Sequence, residues 1–184
     1  VESKGLFYPP DPGEKKATIG GNISTNAGGM RAVKYGVTRD YVMGLELVLA
    51  DGTVVMAGSK NRKDTSGLDL KEIVIGSEGT LAVIPKCILK LIPKPEDSLS
   101  VLLSFDSLKA GIESVRQIIQ ANLNPTAMEF IERKVIQLGE EPDRVFNLGA
   151  LGAENCLAAD FDKSPSRPLP QRDYFVVLFH PETM

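Results

Sequence analysis

The chain has no tryptophan, one histidine (His180), two cysteines and no long run of either charge sign. Each shortage removes a class of protein. A single histidine excludes a histidine-rich metal site within this chain. Cys87 and Cys156 stand far apart, with no Cys-x-x-Cys pair, so neither a disulfide scaffold nor a zinc site is indicated. The 21 basic and 24 acidic residues give a net charge of -3, and no basic patch of the kind a nucleic acid requires. The longest apolar stretch, Val42 to Ala50, is broken by Glu46 and is too short to span a bilayer. No signal-like segment opens the chain, which points to a cytoplasmic protein. The first residue is Val1 rather than Met, which suggests a piece of something longer.

What remains is the composition of a globular protein. The chain has 184 residues, 42% of them hydrophobic and 24% charged, enough for one domain with a real core or for slightly more.

Pro9, Pro10 and Pro12 predict an extended segment over residues 5–13. Thr18 is placed to cap a short helix that starts near Ile19 and is ended by Gly28 and Gly29. Residues 41–50 read as a strand, and Asp51-Gly52 before a second apolar run predicts a hairpin. Residues 61–67 read as a polar loop, and Leu68–Ile75 as a short helix. Residues 81–92 read as one long strand in which Pro85 marks an edge or a bulge. Pro93-Lys94-Pro95 is a linker, after which the pattern restarts. Residues 99–105 form a strand, and apolar positions 108, 112, 115, 118 and 119 define an amphipathic helix over Ser107–Gln120. Thr126–Ile131 reads as a strand, Glu132–Leu138 as a short helix and residues 174–179 as a final strand. Residues 140–173 have no clear period.

Two stretches have the character of a site. In IGGNISTNAGG, residues 19–29, the glycines let backbone approach a ligand without an intervening Cβ. Amides at a helix start favour an anion. Asn22, Ser24, Thr25 and Asn26 add neutral donors and acceptors. The same residues also suit a small helix packed closely on a neighbour, and both readings stand at this point. The stretch is neither a Gly-x-Gly-x-x-Gly fingerprint after a strand nor a phosphate loop. The second stretch, GSEGT at 76–80, is either a turn whose amides face a bound group or a tight turn before a strand. Lys71 and Glu72 read as solvated surface charges. Cys87 reads as a core thiol, and His180 as a surface residue. No nucleophile–base pair is present.

In order and spacing, PPDPG at 9–13, TIGGNISTNAGG at 18–29, KYG at 34–36, LELVLADG at 45–52, KDTSGLDLKEIVIGSEGTL at 63–81 and LKLIPKP at 89–95 resemble the FAD-linked oxidases. These are flavoproteins of the vanillyl-alcohol oxidase / p-cresol methylhydroxylase type. The branch that they resemble holds the glycolate oxidases, the D-lactate dehydrogenases and the D-2-hydroxyglutarate dehydrogenases. The resemblance covers residues 5 to 140.

It implies an α+β fold: residues 1–93 as the second FAD-binding subdomain, mainly antiparallel sheet with helices, residues 94–140 as the beginning of the cap domain, and residues 141–184 unassigned. The first FAD-binding subdomain and most of the cap are missing from that picture. FAD is the implied cofactor, and no metal is implied in this chain. The partners implied are FAD, a chain or segment carrying the first subdomain, and a second copy meeting at the exposed face.

The positions carried over for the cofactor are Pro10, Asp11, Gly20, Gly21, Asn22, Thr25, Gly28, Gly29, Tyr35, Gly36, Glu78, Gly79, Thr80 and Ile84, with Val83 beside the last. Glu129 resembles an acidic cap position near the substrate. Leu68, Ala82 and Pro85 depart from the family's usual aromatic, glycine and hydroxyl residues. The implied reaction is oxidation of a D-2-hydroxy acid, its C2 hydride passing to the flavin while a cap base takes the hydroxyl proton. This chain would supply part of the flavin cradle and none of the acid–base machinery, so alone it is expected to be inactive. The alternatives are a subunit completed by a partner chain, or a non-catalytic module that keeps the fold without the cofactor.

Overall fold

The computed structural model describes residues 1–14, 16–97, 99–105, 107–131 and 173–179. It divides into two units, Val1–Lys94 and Pro95–Met184, each mixing helix with antiparallel sheet.

In the first unit, β1 (Leu6–Phe7) pairs antiparallel with β5 (Ile92–Pro93). The main sheet has the order β3-β2-β4, from β2 (Val42–Val48), β3 (Val54–Gly58) and β4 (Val83–Leu89). The expected Asp51-Gly52 hairpin joins β2 to β3. Gly52 takes φ 84°, the left-handed backbone such turns require, and the Asp51 carboxylate accepts from the Thr53 N–H at 2.9 Å. The chain enters β2 through a 3-10 turn over Thr38–Tyr41 rather than as strand from residue 41.

The expected long strand 81–92 is shorter. β4 ends at Leu89, the Lys90 N–H turns to the Tyr41 carbonyl at 2.8 Å, and the chain resumes as β5. Pro85 sits on β4, an edge strand, where a missing N–H costs no ladder bond.

The core lies on the face of this sheet that carries Leu45, Leu47 and Ala57. Ile23 of the short helix α1 (Ile19–Thr25) closes it, together with Val74 and Ile75 at the end of α3 (Leu70–Val74) and Ala82. Ile23 and Leu45 are fully buried, each stabilising the fold by about 1.5–3 kcal/mol relative to exposure. Cys87 packs against this cluster as a half-buried free thiol, and burial pushes its pKa up. The opposite face is open. There Val48 stands opposite Val54 and Val83, and Glu46 opposite Met56 and Lys86, with Lys86 paired to Glu46 at 3.0 Å.

In the second unit, β6 (Leu99–Phe105), β7 (Ala127–Ile131) and β8 (Asp173–Phe179) form a sheet of order β6-β8-β7. β8 is antiparallel to both neighbours, so β6 and β7 run parallel and α4 (Leu108–Gln120) links them. Ser107 caps α4, accepting from the Ala110 N–H at 3.3 Å, and the helix packs against β6 and β8. The helix expected at Glu132–Leu138, the segment 140–173 except for its last residue, and His180 lie outside the described residues.

Candidate functional site

α1 begins as its sequence dictates. Thr18 is extended, and its hydroxyl accepts from the Gly21 N–H at 3.0 Å. It does not end at the glycines. Asn26 adopts the left-handed conformation (φ 49°), and its N–H closes on Ile23 while Ala27 closes on Asn22. Gly28 and Gly29 are therefore free to serve another purpose.

Gly29 lies against the Asp11 carbonyl so closely that a Cβ would collide with it. Asp11 in turn faces Arg31 at 3.6 Å, and the Arg31 guanidinium lies 5.3 Å from the centre of the Phe7 ring. Tyr35, at the end of the single turn α2 (Ala32–Tyr35), meets the same ring edge-on at 6.2 Å. Gly36 is forced: its φ is 79°, and a Cβ would strike the Asp40 carboxylate, which accepts from the Val37 N–H at 2.7 Å. The buried Thr38 fixes this strap to the end of α1, its N–H and hydroxyl both donating to the Ala27 carbonyl at 3.0 and 2.8 Å. The predicted residues Pro10–Asp11, Gly28–Gly29 and Tyr35–Gly36 thus belong to one connected surface.

The 76–80 turn joins that surface. Its Gly76 and Glu78 amides donate to the Ile23 and Ser24 carbonyls at 3.0 and 2.8 Å. Of the two readings of this turn, these amides follow the tight-turn one, because they satisfy the last carbonyls of α1. Ser77 and Thr80 N–H groups are likewise committed, to Val74 and Ser77. A correction concerns the polar side chains of α1. The Thr25 hydroxyl donates to the Gly21 carbonyl at 3.0 Å, and the Asn26 Oδ1 accepts from the Arg39 N–H at 3.0 Å. Asn22 is buried rather than surface-facing.

Backbone donors are left over as well. Among the described residues, the N–H groups of Gly20, Gly28, Gly29 and Gly79 have no hydrogen-bond partner. A Cβ at Gly20 or Gly79 would meet nothing within 4 Å. Space and unpaired neutral donors therefore coincide at glycine, which suits a flat ligand with polar edges. Ile84 is placed differently: it packs against the core cluster on β4, the strand that α1 covers. Glu129, in the second unit, is half-buried on β7 opposite Val176.

Arg39 and the α3 charges were missed by sequence reasoning. Lys71 and Glu72 are not merely solvated. Lys71 has only 14% of its side chain exposed and pairs with Asp69 and with Glu72, while Glu72 also meets Arg39 at 3.4 Å. Burial alone would lower the Lys71 pKa, but the two carboxylates outweigh it and hold it above the usual value. A separate open cleft of about 620 Å³ lies among Val42–Met43, Asn61, Arg62, Asp64, Asp69, Lys71 and Lys90–Pro93. Its rim mixes Arg62, Lys71 and Lys90 with Asp64 and Asp69, and it contains none of the predicted site residues.

Two family models match the chain: an FAD binding domain over residues 1–58, and the C-terminal domain of FAD linked oxidases over residues 94–179. The chain belongs to the FAD-linked oxidases. It is 49% identical to glycolate oxidase subunit GlcD of Bacillus subtilis over 142 residues, 77% of this chain and 30% of that protein. It is 50% identical to a D-lactate dehydrogenase of Anaerostipes hadrus over 136 residues, 74% of this chain and 29% of that one. A mitochondrial D-2-hydroxyglutarate dehydrogenase of Bos taurus is 52% identical over 96 residues, 52% of this chain and 18% of that protein. The chain thus spans about 30% of the length of the first two relatives. A solved structure of alkyldihydroxyacetonephosphate synthase superposes with a TM-score of 0.71 at 19% identity, over 97% of this chain and 33% of that one, which shows a common fold. Among the described residues no helix is long and apolar enough to cross a membrane.

Proposed function

We propose that this chain supplies one wall of an FAD site in an enzyme that oxidises a 2-hydroxy acid of the glycolate or D-lactate kind. The observation that carries the reading is the docking of the 76–80 turn on the end of α1, together with the unpaired amides of Gly20 and Gly79 beside open space. The names of the relatives support the substrate class.

Pro10, Asp11, Gly20, Gly21, Asn22, Thr25, Gly28, Gly29, Tyr35, Gly36, Glu78, Gly79, Thr80 and Ile84 are the proposed cofactor positions. Their parts differ. Gly20, Gly28, Gly29 and Gly79 would donate to the cofactor from backbone. Asp11, Tyr35 and Gly36 hold the strap behind Gly29, and Thr25, Asn22 and Ile84 hold α1 in place. FAD, when bound, would supply the redox chemistry. The amides would stabilise negative charge at its polar edge, where neutral donors in fixed positions act most strongly.

Residues 1–93 correspond in this reading to the second FAD-binding subdomain, and residues 94–140 to the start of the cap, with Glu129 as an acidic position toward substrate. Acid–base groups are expected elsewhere, so the chain alone should turn over no hydroxy acid. A partner chain carrying the first subdomain would complete the site. A cytoplasmic setting is part of the same proposal, supported by the free thiol of Cys87.

Titration of the purified chain with FAD, followed by amide chemical shifts, tests the reading. Shifts confined to residues 10–11, 20–29, 35–36 and 78–80 are expected, with weak affinity for want of the opposite wall. No shifts at millimolar FAD would favour the alternative, a non-catalytic module of the same fold.

A further inference from the structure

The two glycine-bearing segments leave different helices. One follows Asn26 at the end of α1, and the other follows Ile75 at the end of α3. Nothing in their own sequences sets the distance between them. Beside the direct bonds of the Gly76 and Glu78 amides to the Ile23 and Ser24 carbonyls, one further residue reaches both. Arg39, in the 3-10 turn before β2, donates its backbone N–H to Asn26 Oδ1 at 3.0 Å and its Nη2 to the Ile75 carbonyl at 3.2 Å. Its Nε faces Glu72 of α3 at 3.4 Å. Glu72 is itself held by Lys71 at 3.3 Å, and Lys71 by Asp69. Gly76, the next residue after Ile75, sits where a Cβ would be 3.4 Å from the Asn26 Cβ and 3.9 Å from Arg39 Nη2.

The guanidinium fork is suited to this task. It makes two directed contacts from one rigid plane, one to a carbonyl and one to a carboxylate. As a surface ion pair alone it would be worth little, since its side chain is 42% exposed. Its value lies in joining three segments that have no covalent reason to stay together.

We propose that Arg39 is a positioning residue: it sets the spacing between the Gly28–Gly29 and Gly76–Gly79 segments, and through that spacing the affinity for FAD. The inference rests on the flavin-wall reading above. It assigns Arg39 no contact with the cofactor.

The test uses the whole 184-residue chain with Arg39→Ala and Arg39→Lys, and Lys86→Ala as a control that breaks an ion pair on the remote sheet face. Two readouts are taken. Amide exchange at Gly76 and Glu78 reports the docking of the turn, and FAD titration reports the wall. Arg39→Ala should speed exchange at both amides and weaken FAD binding by roughly tenfold. Arg39→Lys, which can make one of the two side-chain contacts but not both, should fall between Arg39→Ala and the parent. Lys86→Ala should change neither. Faster exchange with unaltered FAD affinity would mean that Arg39 is only a staple, and would overturn the inference while leaving the flavin reading intact. Unchanged exchange in both arginine variants would overturn it as well. Failure of the parent chain to bind FAD at all would sink the flavin reading and the positioning role with it. If Arg39→Ala does not fold, Arg39→Lys decides alone by the same two measurements.

Discussion

The Glu78 N–H donates to the Ser24 carbonyl at 2.8 Å, and it does so from a left-handed backbone with φ 54°. A side chain in that region costs about 1–2 kcal/mol, which glycine avoids at some expense in unfolded-chain freedom. Glu78→Gly should therefore raise stability by about 0.5–1 kcal/mol, measured by denaturant unfolding. Gly76→Ala, at φ 84°, should lower it by about 1–2 kcal/mol. A stability loss in Glu78→Gly would show that its side chain does more than tolerate the turn.

The glycines of the wall should separate into two kinds. Gly20 faces open space from inside α1, so Gly20→Ala should stabilise the fold by up to about 1 kcal/mol through helix propensity. The same methyl should weaken FAD binding, because it occupies the space left for the ligand. Gly29→Ala forces the Asp11 backbone to move and should cost about 1–3 kcal/mol. Paired melting curves and FAD titrations of the two variants check both halves. Equal FAD affinity in Gly20→Ala and the parent would remove Gly20 from the site.

Tyr41 provides a pH signature. Burial, aided by the nearby Asp40 charge, pushes its phenol up to about 12 from the ordinary 10. The unfolded chain then loses this proton at a lower pH than the folded one. Stability from this group is complete below pH 10 and is lost as pH rises from 10 toward 12. Denaturant unfolding across that range should show the decline, and Tyr41→Phe should lessen it, the remainder coming from Tyr8 and Lys71, which are also raised. Phenolate absorbance should place Tyr41 well above the ordinary 10, with Tyr8, also raised by burial, above that value too.

The open sheet face tests self-association. Val54 and Val83 are 59% and 67% exposed and both stand opposite Val48. Val54→Lys with Val83→Lys should alter folding stability by no more than about 0.5 kcal/mol, since no buried contact is lost. Sedimentation velocity should show the parent associating with rising concentration and the double variant remaining monomeric. Association in both would place the contact elsewhere.

Much of this architecture was legible from local signals. Ser107 and the apolar spacing that follows set α4 almost to the residue, and Thr18 set the start of α1. Asp51-Gly52 announced its hairpin, and the α+β character followed from the order of elements. The end of α1 was misread because a glycine pair is the stronger stop signal, yet Asn26 reached the left-handed region first. The break after Leu89 was hidden because its cause is the Lys90 bond to Tyr41, far away in sequence. At the site, the glycine-bearing segments were visible, and the structure sets the 76–80 turn on the end of α1. The direction of the amides was not visible: whether a donor faces a ligand or a helix end depends on a partner some fifty residues away, as with Glu78 and Ser24. Arg39 gave no signal, being one arginine in a polar turn with no motif around it.

Because the turn at 76–80 closes the end of α1 through backbone bonds, the surface is held by the chain's own contacts. A ligand arriving there would find its hydrogen-bond donors in position and would immobilise little additional chain. Its capture should thus be governed by encounter rather than by rearrangement, and a smaller molecule sharing only the matching edge should dock in the same pose.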